Sequence, residues 1–288
     1  VWPRGTLASM PWSLEGGRAS GPGVFDMKAG VAMGMAVLAA MARETRPSPV
    51  SLLLVPDEEA GSDHSRELLL SVARRHRQVL VLEPSEEGAA KVARIGAGVF
   101  TVRFRGRAAH AGLDPDGGAS ALAEMARFAL SLEGLAEPAR GTTLVPTLCQ
   151  AGTAENVVPE LAEVTVDARA WTRDEADRAT GAICGYQCFD PGVTVEVEGR
   201  FDRPALEPTP AAELLYERAR RVSADLGFEL GAARVGGGSD GNFTAAAGVP
   251  TLDGLGAVGG GAHARGEHVL VGELPRRTAL VAALCAPE

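Results

Sequence analysis

The feature that most constrains this chain is an apolar run that stops at three consecutive carboxylates: Ser51-Leu52-Leu53-Leu54-Val55, a proline, then Asp57-Glu58-Glu59. A short apolar run bounded by a turn reads as a buried strand. Three adjacent acids at its end repel one another and lose hydration, which is tolerable mainly where a cation or a proton-transfer task compensates. The pattern recurs at Val79-Leu80-Val81-Leu82, which ends on Glu83 after a stretch with helical spacing from Ser65 to Arg77. Strand, helix and strand of this kind make one parallel unit, and parallel sheets gather ligands at the carboxyl ends of their strands. A solvated acidic turn is the bland alternative for residues 57–59.

The periodicity changes along the chain. Residues 1–93 read as a turn-rich entry, a helix from Met27 to about Arg43, then the strand, helix and strand above. From Gly96 onward, Phe100-Thr101-Val102-Arg103-Phe104-Arg105 alternates apolar and polar. Helices follow near 120–135 and 173–183, with strands near 142–150, 163–171 and 193–198. This β-α-β-β-α-β order is that of a split, ferredoxin-like α+β sandwich with an antiparallel sheet. Helices near 211–226 and 274–285 then restore the α/β style. The expected fold is an α/β domain in two parts, 1–93 and 204–288, with a smaller domain inserted at 94–203.

A hydrophobic content of 45% over 288 residues supplies sizeable cores, and a net charge of -9 with no basic cluster beyond Arg74-Arg75-His76-Arg77 excludes a phosphate-binding nucleic-acid surface. No run approaches 18 apolar residues, and Val1-Trp2-Pro3-Arg4-Gly5 lacks the regions of a signal peptide, so no membrane role is expected. Cys149, Cys184, Cys188 and Cys285 form no metal-type pair or dense framework, which fits a reduced, cytoplasmic setting.

Two further segments carry chemistry. Gly21-Pro22-Gly23-Val24-Phe25-Asp26 delivers an acid to a helix start, where an N-cap is a sufficient explanation by itself. His263 follows a run of glycines, Gly259 to Gly261. Together Asp26, Glu59, Glu83 and His263 supply oxygen and imidazole donors that suit zinc. In chain order the strings GPGVFDMKAG, VPDEEAG, VLEP, GRAAHAG, ENVVP, DARA and GGGSDGNF, then His263, resemble the two-zinc aminoacyl amidohydrolases, the family of glutamate carboxypeptidase, acetylornithine deacetylase, succinyl-diaminopimelate desuccinylase and aminoacylase. The resemblance covers essentially the whole chain and is strongest to the glutamate carboxypeptidase branch.

That resemblance implies a zinc-dependent carboxypeptidase or deacylase that cleaves an amide next to a free carboxylate, with acyl-glutamate-like substrates. It implies that Asp26 bridges two zinc ions, that Glu59 and His263 complete one, and that Glu83 serves the other. Glu58 becomes the general base, and His110 on the inserted domain stabilises the oxyanion. Arg169 clamps the substrate carboxylate, Asn156 donates to the substrate, and Gly237 and Gly238 let backbone approach it. It further implies a homodimer through the inserted domain, with a small molecule or peptide as substrate. The family draws its remaining ligand from a His-x-Asp pair ahead of the segment matching Val1-Trp2-Pro3, and no His-x-Asp occurs in these residues. The expectation is therefore at most one well-held zinc and impaired catalysis for this chain, with an active longer parent. The alternatives are an acetylornithine- or succinyl-diaminopimelate-type deacylase, and a non-catalytic relative that only binds ligand or dimerises. Gly185-Tyr186-Gln187-Cys188-Phe189 departs from the family pattern.

Overall fold

The computed structural model describes residues 2–44 and 49–286; Val1, with which the first expected segment begins, and residues 287–288, with which the last one ends, lie outside the described residues. In chain order the elements are β1 (Ser13–Glu15), β2 (Arg18–Ser20), α1 (Ala29–Met41), α2 (Arg66–Ala73), β3 (Val79–Leu80), β4 (Ala90–Arg94) and β5 (Gly96–Arg105). There follow α3 (Ala121–Leu135), β6 (Thr143–Ala151), β7 (Leu161–Ala170), α4 (Arg173–Cys184), β8 (Thr194–Arg203) and α5 (Pro210–Asp225). The chain ends with β9 (Ala232–Val235), α6 (Asp240–Ala246), β10 (Thr251–Leu252), β11 (Gly259–Gly260), β12 (His268–Leu270) and α7 (Leu274–Cys285). Two compact units result: Val1–Arg94 with Leu206–Glu288, and Ile95–Ala205.

In the unit Ile95–Ala205, β5 pairs antiparallel with both β7 and β8, and β6 pairs with β7, giving the sheet order β6-β7-β5-β8. This is the ferredoxin-like sandwich expected from the alternation. Every second residue of β5 and β7 turns inward, so Phe100, Val102, Phe104, Val164, Val166 and Ala168 are buried against Phe128 and Leu132 of α3 and Ile183 of α4. Each of the Phe, Val, Leu and Ile side chains among these contributes roughly 1.5–3 kcal/mol. Ser120 and Thr172 cap α3 and α4 by accepting the Ala123 and Glu175 amides. The segment Gly185 to Phe189 also finds its reason here. The Tyr186 ring packs edge-on to Phe128 at 5.0 Å and to Phe104 at 6.1 Å, so this aromatic closes the sandwich core.

In the other unit, β3 pairs parallel with β10 and β4 pairs parallel with β9. The Lys91 amide, donating to the Asp253 carbonyl at 2.8 Å, joins the two pairs. A second sheet, β1-β2-β12-β11, is antiparallel. Helices α1, α5 and α7 bury Met33, Val37, Leu215, Leu280 and Leu284 against Leu82 and Leu252. The sequence reading needs one correction here. Residues 51–55 carry no strand ladder among the described residues: β3 pairs with β10 alone there, and Leu52 presses its methyl groups toward Gly34 of α1. Val24–Met41 is an 18-residue stretch of mean hydropathy 1.5, long and apolar enough by length and composition to cross a membrane, although it contains Asp26 and Lys28. Its apolarity is used in the core, where Met33, Val37 and Met41 are buried.

Two glycines bring the site together. A Cβ on Gly30 would lie 2.2 Å from the Leu82 carbonyl, and one on Gly256 equally close to it. Only glycine lets the start of α1 and the 254–256 loop press against the segment Val81–Glu83 that follows β3.

Candidate metal centre

Asp26 lies in a wide turn, Val24–Lys28, whose backbone leaves the helical region at Asp26 and Met27. The chain enters α1 only afterwards, with Lys28 at the N-cap position. Asp26 is therefore released from capping, and its Oδ2 faces the Nε2 of His263 at 3.0 Å. His263 has a left-handed backbone (φ 60°) inside a turn closed by Ala264 N–H to Gly261 O and Glu267 N–H to Ala264 O. Glu59 approaches the same Nε2 through Oε1 at 3.5 Å. One ligand atom from each of Asp26, Glu59 and His263 falls within 4.8 Å of the others.

The three acids of the 57–59 run go separate ways. Asp57 turns into its own loop, where Oδ2 accepts the His64 and Ser65 amides at 3.0 and 3.1 Å. Glu59 turns to His263, and Glu58 sits half-buried between them in the short turn Glu58–Ala60. Glu83 follows β3. Burial first, and then the charges of Asp253, Asp26 and Glu58, push its carboxyl well above the usual carboxylate range, with Arg94 only partly offsetting them. This donor set suits a divalent cation: it holds an imidazole and several crowded carboxylates, and among the described residues Asp26 and Glu59 meet no lysine or arginine.

Several residues around these acids have no place in the sequence reading. Arg94, at the end of β4, forks onto Asp253 through Nε at 2.7 Å and Nη2 at 3.0 Å. Its Nη1 donates to the carbonyls of Gly237 and Gly238 at 3.0 and 3.2 Å. The glycine run 236–238 is thus held by its carbonyls, and it leads into Ser239, whose hydroxyl caps α6 in a capping box with Asn242. Ser62 donates to Asp240 at 2.5 Å, tying the loop of Glu58 and Glu59 to the start of α6. Arg277 donates to the carbonyls of Gly88, Gly254 and Gly256. Asp253 carried a weaker signal of the same kind: it follows Val249-Pro250-Thr251-Leu252, a mixed segment, where Glu83 follows the fully apolar Val79-Leu80-Val81-Leu82. Glu267 had no local signal. It is fully buried and accepts the amides of Gly23, Phe25 and Asp26.

The remaining candidates lie in the unit Ile95–Ala205. His110 is exposed, and its Nδ1 accepts the Gly112 and Leu113 amides at 3.1 Å each, which leaves Nε2 to carry the proton of the neutral ring. The Ala111 amide donates to the Asn156 carbonyl at 2.9 Å and His110 bridges to Val157, so His110 and Asn156 are neighbours. Arg169 is not with them. It lies eight residues along β7 from Leu161, about 26 Å at 3.3 Å per residue. Its guanidinium is already forked onto Asp167 at 2.8 and 2.7 Å.

Comparison with known proteins adds the following. The family description "Peptidase family M20/M25/M40" matches residues 1–286. Carboxypeptidase G2 of Pseudomonas sp. (strain RS-16) is 30% identical over 292 residues, which cover 99% of this chain and 70% of that protein. Succinyl-diaminopimelate desuccinylase of Cereibacter sphaeroides is 29% identical over 280 residues, covering 88% of this chain and 70% of that protein. Among solved structures, aminopeptidase PepT of Bacillus cereus is similar in fold, with a TM-score of 0.78 and 22% identity over 95% of this chain and 74% of that one.

Proposed function

The chain belongs to peptidase family M20/M25/M40, and from that premise we propose that it is a zinc-dependent hydrolase cleaving an amide bond next to a free carboxylate. The observation that carries this reading is the convergence of Asp26, Glu59 and His263, residues from three distant parts of the chain, on one point. These three would hold one zinc. Glu83, beside the charge of Asp26, offers one more carboxylate toward a second. When bound, the metal supplies Lewis acidity that stabilises charge on the scissile carbonyl.

The other steps belong to side chains. Glu58, next to a ligand and not one of the cluster of three, accepts a proton from the attacking water on its carboxylate and delivers it to the leaving nitrogen. The Nε2–H of His110, with Asn156 beside it, is suited to donate to a substrate oxygen. A substrate carboxylate that reached Arg169 would take the place of Asp167 in its fork. Likeness to carboxypeptidase G2 favours acyl-glutamate-like substrates, and likeness to the desuccinylase favours the deacylase alternative. Homodimerisation through the inserted unit is supported by its edge strands β6 and β8, each with one paired neighbour in its sheet. Four free cysteines accord with a cytoplasmic setting.

The test is metal analysis and turnover of the purified chain against an N-acyl-glutamate, N-acetylornithine and succinyl-diaminopimelate. About one tightly held zinc per chain, lost in Asp26→Ala and in His263→Ala, is expected, with fastest turnover of the acyl-glutamate. Zinc binding unchanged by either substitution would overturn the assignment of the site, and faster turnover of another substrate would move the specificity there.

A further inference from the structure

The geometry points to Glu267 as the positioning residue that sets the spacing of Asp26 and His263, an inference that rests on the metal reading above. Glu267 is fully buried, and among the described residues it has no lysine or arginine partner. A buried carboxyl without a cation is costly unless hydrogen bonds replace its water. Four donors do so, two to each oxygen. Oε2 accepts the Gly23 amide at 2.7 Å and the Trp2 indole N–H at 2.8 Å, while Oε1 accepts the Phe25 amide at 2.9 Å and the Asp26 amide at 3.0 Å.

Three of these donors are the backbone of the turn that presents Asp26, and one belongs to Asp26 itself. At the other end, Glu267 stands four residues after His263 and closes the same turn through its amide to Ala264 O. One side chain therefore spans the two ligand-bearing loops, which are more than 230 residues apart in sequence. The neighbouring strands do not need it for pairing, because β2 and β12 are already in register from Arg18 to Ser20. What Glu267 adds is the placement of the Asp26 amide, and with it the carboxylate that faces His263 at 3.0 Å.

Glu267→Gln keeps the size of the side chain but turns an NH2 group toward two N–H donors. Loss of an outer partner of this kind weakens metal binding by about 10–100-fold. The test is Co2+ titration of the whole chain, read by calorimetry and by the visible absorption of the bound ion, at a temperature where circular dichroism shows both proteins folded. The expected result is an affinity about 10–100-fold weaker in Glu267→Gln with an altered Co2+ spectrum. Trp2→Phe removes one donor, leaves the three amides in place and should bind within about threefold of the unaltered chain. A lower Tm with unchanged affinity and spectrum would make Glu267 a purely structural brace and overturn the inference. His263→Ala separates the two ideas: if it binds Co2+ as the unaltered chain does, the metal reading fails; if it loses binding while Glu267→Gln does not, only the positioning role fails. Should Glu267→Gln not fold, hydrogen exchange on the unaltered chain decides. Slow exchange at Gly23, Phe25 and Asp26, slowed further by Co2+, supports the clamp, and exchange at open-loop rates overturns it.

Discussion

Both units of this protein bury acids, and one group of acids in the α/β unit is treated in the opposite way from those of the sandwich. In the sandwich, Glu124 is fully buried but bonds to Arg127 and to the Phe189 amide. Glu175 is nearly as buried and meets Arg178, Arg140 and Thr142. The hydrogen bond from Arg178, then that from Thr142, holds Glu175 below the usual carboxylate range. In the α/β unit, Glu83 is pushed the other way by burial and by neighbouring acids, while Arg94 is engaged by Asp253. Among the described residues, the carboxylates of Asp26 and Glu59 find no ion-pair partner besides His263. Arg127 and Arg178 come from one turn away on the same helix as the acid they meet, and Arg140 comes from the turn Pro138–Arg140 ahead of β6, so those acids find their cations within the fold. In the α/β unit Asp253 and Glu267 are completed in the same way, by Arg94 and by four N–H donors, whereas Asp26, Glu59 and Glu83 are the carboxylates we propose for a cation.

Four experiments would break or sharpen that contrast. The largest effect is expected for Glu58→Gln: a fall in kcat of about 10²–10⁴-fold, with zinc affinity within about twofold. An unchanged rate would remove Glu58 as the base. Next, Phe128→Ala in the sandwich core should cost about 3–5 kcal/mol in urea unfolding while leaving zinc affinity alone. A coupled loss of metal would show that the units are not independent in this respect. Third, zinc at 100 times its Kd should stabilise the chain by about 2.7 kcal/mol, reversed by a chelator and absent in His263→Ala. The smallest effect concerns pH. Because the folded-state pKa of Glu175 is depressed, its contribution is present above its ordinary value of 4.5 and is lost as pH falls through the depressed value. Glu175→Gln should thus be less stable than the unaltered chain at pH 7, with the gap closing in acid. A gap that widened in acid would contradict this account of the sandwich.

The sandwich was legible because its signals are local. Alternation with period two along β5 and β7, and helical spacing with Ser or Thr at the caps of α3 and α4, mark the elements wherever the rest of the chain goes. The α/β unit was legible in its helices, such as α7 at Leu274–Cys285, and less so in its strands. Residues 51–55 show why: an apolar run reports burial, but a strand also needs a neighbouring edge, and no local pattern reports whether one is there. The short hairpin of β1 and β2 and its pairing with β12 were missed for the same reason.

The candidate centre divides along the same line. Residue types and order alone determined that carboxylates at the ends of apolar runs, with one imidazole after a glycine run, were a metal-suited set. The resemblance had already singled out Glu59 from the run; only the tertiary structure decided that Asp57 turns into its own loop, that Arg169 pairs with Asp167 on β7, and that Glu267 ties the two ligand loops together. Adjacent carboxylates are chemically alike along a chain, and they become different only when distant backbone amides, reached through folding, take up one and leave the next exposed to a cation.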